Sequence, residues 1–229
     1  MRYHIFGAPM PAVTIELSQG ESMYTQSGGM IWMTEGIRMD TNLKGGIGGA
    51  FGRAFSGESL FMATYTATEA DDKITFASTM PGDIKMFSIR PGYEIIAQKG
   101  AFLCAEPGVK LSTHFHKSAK GGLFGGEGFI LQKYSGDGTV FCEIDGSLQE
   151  IELEANELLR VDTGNIAAFE SSVCYSAEMV KGFKNVLFGG EGLFLSTLRG
   201  PGKVWIQTMT AAEFARKVLQ YMPKSSNSK

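Results

Sequence analysis

The chain has few of the residues from which most catalytic centres are built. It has three histidines, His4, His114 and His116, and three cysteines, Cys104, Cys142 and Cys174. No histidine belongs to a Ser-His-Asp or Cys-His set with an identifiable orienting carboxylate, which argues against a nucleophilic hydrolase. The cysteines are odd in number and lack Cys-x-x-Cys spacing. They read as reduced, buried thiols of a cytoplasmic protein. Lys and Arg total 21 against 24 Asp and Glu, for a formal charge of −3, and no basic run or stripe is present. That leaves no electrostatic footprint for nucleic acid. No apolar run reaches the length of a membrane span, and the N-terminus lacks a charged head followed by an apolar stretch. Neither a transmembrane segment nor a cleaved secretion signal is expected. G-x-G-x-x-G and G-x-x-x-x-G-K-[ST] are both missing, so the glycine-rich stretches do not read as phosphate loops.

What the chain does have is glycine, 30 residues of it, and a sequence that repeats. Leu187-Phe188-Gly189-Gly190-Glu191-Gly192-Leu193-Phe194 nearly restates Leu123-Phe124-Gly125-Gly126-Glu127-Gly128-Phe129-Ile130. A looser version is Ala54-Phe55-Ser56-Gly57-Glu58-Ser59-Leu60-Phe61. Phe55, Phe124 and Phe188 stand 69 and 64 residues apart. Upstream, Val13 to Gly28, Lys85 to Gly100 and Gln149 to Gly164 align without gaps. Each has an alternating apolar start, a turn residue (Gly20, Gly92, Asn156) and then an apolar pair. Downstream, Lys73 to Phe76, Gly138 to Phe141 and Gly202 to Trp205 match in pattern. Landmarks in one order three times over indicate triplication, which sets the architecture before any chemistry is considered.

Short β-rich runs with Gly, Pro or Asn between them indicate a sandwich or barrel. The expected fold class is all-β. Three β-sandwich units, resembling short double-stranded β-helices, span residues 10–81, 82–145 and 146–209 in a pseudo-threefold arrangement. A C-terminal helix over 210–222 completes it. Met1 to Pro11 reads as a leader whose Pro9 and Pro11 limit pairing. The helix is signalled by the capping box Thr210-Ala211-Ala212-Glu213 and by Phe214, Val218, Leu219 and Met222 on one face. It is expected to cover a sheet edge or to pack on a second subunit.

The Leu-Phe-Gly-Gly-Glu-Gly motifs, Gln98-Lys99-Gly100-Ala101-Phe102-Leu103, Asp162-Thr163-Gly164 and Arg199-Gly200-Pro201-Gly202-Lys203-Val204-Trp205 together carry a resemblance. From Val13 to Thr208 the chain resembles the bacterial relatives of the altered-inheritance-of-mitochondria biogenesis protein. The resemblance implies a fold similar to three fused subunits of the tryptophan RNA-binding attenuation protein. It carries no catalytic residue onto this chain.

Two sets of residues are candidates for chemistry. Glu58, Glu127 and Glu191 each sit among small residues before an apolar pair. In the plainer reading their carboxylates accept amide hydrogens and fix turns. In the sharper one they form a ring of carboxylates for a cation or a basic partner. His114 and His116 share a face if strand continues through them, so both imidazoles could meet one metal ion. A cupin-like site would add a Glu a few residues later, but Lys117-Ser118-Ala119-Lys120 follows instead. The expected function is therefore a non-enzymatic binding or scaffold protein without a cofactor, able to self-associate as a homo-oligomer and to bind a protein or small-molecule partner. A cupin-like small-ligand or metal-dependent enzyme is one alternative. RNA binding by fold analogy is a second, opposed by the acidic balance.

Overall fold

The structure, a computed structural model, describes residues 1–26, 28–41, 62–114, 130–179 and 194–222. Among these residues the chain is built from antiparallel strands, with two short 3-10 turns and one helix. The leader departs from expectation: β1 (Arg2–Phe6) pairs with β2 (Ala12–Leu17), Tyr3 opposite Ile15 and Phe6 opposite Ala12. Both prolines fall after β1, in its connection to β2, where their missing amide hydrogens cost no ladder bond.

After β2 come β3 (Ser22–Gln26), β4 (Met30–Met33), β5 (Ile37–Asp40), β6 (Met62–Ala67) and β7 (Asp72–Ala77). The next six are β8 (Gly82–Ile89), β9 (Ile95–Gln98), β10 (Phe102–Ala105), β11 (Val109–His114), β12 (Leu131–Gly136) and β13 (Gly138–Asp145). The last six are β14 (Leu148–Leu153), β15 (Leu158–Asp162), β16 (Ile166–Glu170), β17 (Cys174–Met179), β18 (Phe194–Arg199) and β19 (Gly202–Gln207).

The same pairings are made in each set. The first strand pairs with the last, as in β2–β7, β8–β13 and β14–β19. The last also pairs with the third, in β4–β7, β10–β13 and β16–β19, each time with a bulge after the first pair. The hairpins β5–β6, β11–β12 and β17–β18 recur, and their second strands pair with β3, β9 and β15. Two pairings, β3–β10 and β9–β16, join one set to the next.

These pairings give a first sheet ordered β1-β2-β7-β4 and a second ordered β5-β6-β3-β10-β13-β8. The third is β11-β12-β9-β16-β19-β14 and the fourth β15-β18-β17. Apolar clusters lie between successive sheets. Val13, Ile15, Ile74 and Phe76 of the first meet Met23 and Phe141 of the second. Phe87, Phe102 and Cys142 of the second meet Ile95, Tyr134 and Trp205 of the third. Phe169 and Val204 of the third meet Tyr175 and Leu198 of the fourth. Alternation along each strand sends one row into a cluster and the next row away from it.

Local chemistry repeats with the pairing. Gly20, Gly92 and Asn156 all take positive φ, at 84°, 83° and 67°. Each stands one residue before an amide that donates back across the turn: Glu21 to Ser18, Tyr93 to Arg90 and Glu157 to Glu154. Glycine and asparagine are the residues that tolerate this backbone region best. Thr34, Glu106 and Glu170 occupy a second matched position. Their side-chain oxygens accept from the amides of Lys73, Thr139 and Lys203 at 3.1, 2.6 and 3.0 Å.

The helix, α1 (Ala211–Leu219), begins as the sequence predicts, with the Thr210 hydroxyl accepting from the Glu213 amide at 3.1 Å. The Asp145 carboxylate accepts from the Ala211 amide at 3.0 Å and anchors the first turn. Among the described residues the helix buries none of its side chains, and Phe214, Val218, Leu219 and Met222 are exposed. Among the described residues the hydrogen bonds that tie the helix to the strands are at its cap.

Candidate functional site

The three Gly-Glu motifs fall in one topological place. Residues 42–61, 115–129 and 180–193 connect β5 to β6, β11 to β12 and β17 to β18, the three matched hairpins. Glu58, Glu127 and Glu191 themselves lie outside the described residues, as does His116. His114 closes β11 opposite Leu131 and is half-buried. No group of three or more His, Cys, Asp or Glu able to hold a metal ion occurs among the described residues.

The most tightly engaged carboxylate among the described residues is Glu150, on β14. It accepts from Lys203 Nζ at 2.7 Å, Trp205 Nε1 at 2.7 Å and Lys85 Nζ at 3.0 Å. These bonds, Lys203 foremost, hold its carboxyl down at about 2. Two ammonium groups and an indole leave it little capacity as a base. Lys85 also lies 5.7 Å from the Trp205 ring centroid, and Phe87 meets that ring edge-on at 4.7 Å. The cluster thus ties β8 of the second sheet to β14 and β19 of the third. In chemical terms it is a clasp. Sequence reasoning missed it because Thr14 and Met86 stand at the matched positions of the other sets, so no repeat flags Glu150.

A second link is Tyr93, whose hydroxyl donates to Glu170 at 3.0 Å. Burial, reinforced by that carboxylate, pushes the phenol up to about 12. Cys104 and Cys142 are fully buried, as expected, and burial raises both thiols, Cys142 to about 12. Thiols held protonated are poor nucleophiles. Cys174 corrects the expectation of three buried thiols. It is exposed, because Tyr175 beside it takes the inward place and strand alternation turns Cys174 out.

Two open grooves lie among the described residues. One, of about 440 Å³, is lined by Glu21, Glu106, Pro107 and Asp137 where turns of the first two strand sets meet. Glu21 and Glu106 are both engaged there, accepting from the Ser18 and Thr139 amides. The other, of about 370 Å³, lies on the outer face of the first sheet, lined by Tyr3, Phe6, Thr14, Glu16, Trp32 and Lys73. No described helix is long and apolar enough to cross a membrane.

Comparison with known proteins gives a consistent answer. An uncharacterised protein of Streptococcus pyogenes serotype M6 is 32% identical over 226 residues, covering 95% of this chain and 89% of its own length. A crystal structure of a Streptococcus pyogenes protein superposes with a TM-score of 0.77 at 28% identity, covering 96% of this chain and 99% of that one. The model of the mitochondrial biogenesis AIM24 family matches residues 3–209, from β1 to just past β19. The family match thus takes in every described strand set and stops short of α1, and the chain belongs to the mitochondrial biogenesis AIM24 family.

Proposed function

We infer that the chain is a non-enzymatic binding or scaffold protein in which three pseudo-equivalent units each offer one related connection to a partner. The observation that carries this reading is the coincidence of motif and topology. Each Gly-Glu sequence joins the same two strands of its set, and those hairpins belong to successive sheets. A repeated sequence at a repeated place suits multivalent engagement of one partner chemistry, where linked weak contacts add to a strong one. The polar groups elsewhere favour the same reading. Glu150 is saturated by three donors, and Cys104 and Cys142 are held as thiols.

The test is affinity capture from the source cell with the parent chain and with a Glu58→Gln, Glu127→Gln, Glu191→Gln triple variant. A protein bound by the parent in fixed ratio and lost by the triple variant, at unchanged thermal stability, supports the scaffold reading. A metal ion or metabolite bound one to one, turned over by the parent and lost on His114→Ala, overturns it.

A further inference from the structure

The first and fourth sheets are incomplete in complementary ways. The second and third sheets each join three strands of one set, such as β5-β6-β3, to three of the next, such as β10-β13-β8. The fourth, β17-β18-β15, holds only the former kind. The first holds only the latter, β4-β7-β2, with β1 added beyond. Set side by side through β15 and β4 they read β17-β18-β15-β4-β7-β2, the same order a third time. Among the described residues β4 and β15 make no pairing with each other; they end different sheets, and those sheets share no apolar cluster.

Exposure marks the gap. Ile31, Trp32 and Met33 of β4 are 54%, 43% and 37% exposed, whereas Leu103, Cys104 and Ala105 at the matched positions of β10 are at most 3%. Leu158 of β15 is 62% exposed. An apolar edge of this kind, without Lys or Pro to protect it, is a template for another strand. The chain itself shows which strand fits. β9–β16 pairs Ala97 with Ala168, Ile96 with Phe169 and Ile95 with Glu170, and β3–β10 pairs Tyr24 with Ala105 in the same relative position.

We propose that β15 of one copy pairs antiparallel with β4 of a second copy, head to tail, completing the six-strand order found twice within the chain. Transferring the internal register places Val161 opposite Trp32, Arg160 opposite Met33 and Leu159 opposite Thr34. Arg160 stands where Tyr24 donates its hydroxyl hydrogen to the Val109 carbonyl at 2.9 Å, and its guanidinium offers donors to the matched carbonyl of Ile37. The 370 Å³ groove around Trp32 lies on the face that the preceding copy covers. Within the chain that face is filled by the preceding set, as Phe87 fills it against Trp205. The joint uses different surfaces on its two sides, so it propagates from copy to copy until a ring closes or a filament forms. The pairing goes beyond the scaffold reading and does not depend on its partner.

Sedimentation of the full chain, alone and as variants, tests this. The parent is expected to assemble with rising concentration. Trp32→Glu and Val161→Glu, at exposed or half-buried positions, should each keep the parent's strand signal in circular dichroism and weaken assembly by more than about tenfold. A mixture of the two single variants retains one intact joint per pair and should stop at one-to-one dimers. In a Cys174→Ser background, Trp32→Cys with Val161→Cys should give disulfides between chains. A parent that stays monomeric from micromolar to millimolar concentration overturns the proposal. So does a single variant that assembles like the parent, or a disulfide that closes within one chain.

Discussion

Glu150 and Trp205 face each other across β14 and β19, and the indole Nε1 donates to the carboxylate at 2.7 Å while Lys203 and Lys85 close on the same group. One carboxylate thus organises two cations and an aromatic ring at the junction of two sheets. A mutation at Glu150 therefore acts on several elements together. Without its charge, Lys85 and Lys203 are left as neighbouring like charges.

The depressed carboxyl makes this clasp dependent on acid. Its folded value is about 2, below the roughly 4.3 of a free glutamate. A lowered folded value gives stability that is present above the unfolded value and is lost as pH falls through the folded one. The parent should therefore lose this contribution between about pH 4.5 and pH 2. The Glu150 side chain is 37% exposed, so solvent screening keeps the contribution small, on the order of 1 kcal/mol or less per ion pair. Glu150→Gln should lower the melting temperature at pH 7, with the difference from the parent shrinking as pH approaches 2. A difference that is constant with pH would show that the charge is not what holds the clasp.

The matched turns predict a second, graded result. Gly92 has φ +83° and nothing within 4 Å of an added Cβ, so a substitution there meets no neighbour and its cost is conformational. Gly92→Ala should destabilise by about 1–2 kcal/mol, the cost of placing a Cβ in the left-handed region. Gly92→Asn should cost visibly less, because Asn156 already occupies the matched turn at φ 67°. Chemical denaturation of the two variants measures both. Equal losses would mean that the turn does not discriminate as its backbone implies.

Most of the strand layout was legible because glycine punctuation and apolar alternation survive in all three strand sets. The turn at Gly20, Gly92 and Asn156 could be read from sequence because few residue types accept positive φ. The capping box at Thr210 could be read for a similar reason, since few side chains satisfy a helix start. What could not be read were roles that chemically different residues fill equally well. Thr34, Glu106 and Glu170 all cap the matched strand, yet a hydroxyl and a carboxylate do not align as a motif. β1 was obscured by Pro9 and Pro11, which lie beside the strand and not in it. Glu150 was obscured because its partners come from two strand sets, so local spacing carries no trace of them. The candidate glutamates Glu58, Glu127 and Glu191 lie outside the described residues.

Tyr134 offers a prediction of opposite sign to most core mutations. It is fully buried against Phe102, and its hydroxyl meets the Cys142 sulfur, a weak acceptor, with no nitrogen or oxygen partner among the described residues. Burial raises its phenol far above the usual value, so the group stays neutral and must bear the loss of its water contacts. Tyr65 and Leu198 fill the matched positions of the first and third strand sets, so the site takes an apolar body with or without a polar tip. A buried donor without a partner costs about 1–3 kcal/mol, and one held only by a weak sulfur acceptor bears part of that cost, so removing it recovers some stability, less the packing of one oxygen. Tyr134→Phe should therefore be neutral or stabilising by up to about 1 kcal/mol. Tyr134→Ala should cost about 3–5 kcal/mol through the cavity it leaves. Equilibrium denaturation of both separates the ring from its hydroxyl. A Tyr134→Phe loss above about 1 kcal/mol would mean that the hydroxyl is satisfied in solution, with an ordered water the natural partner to look for.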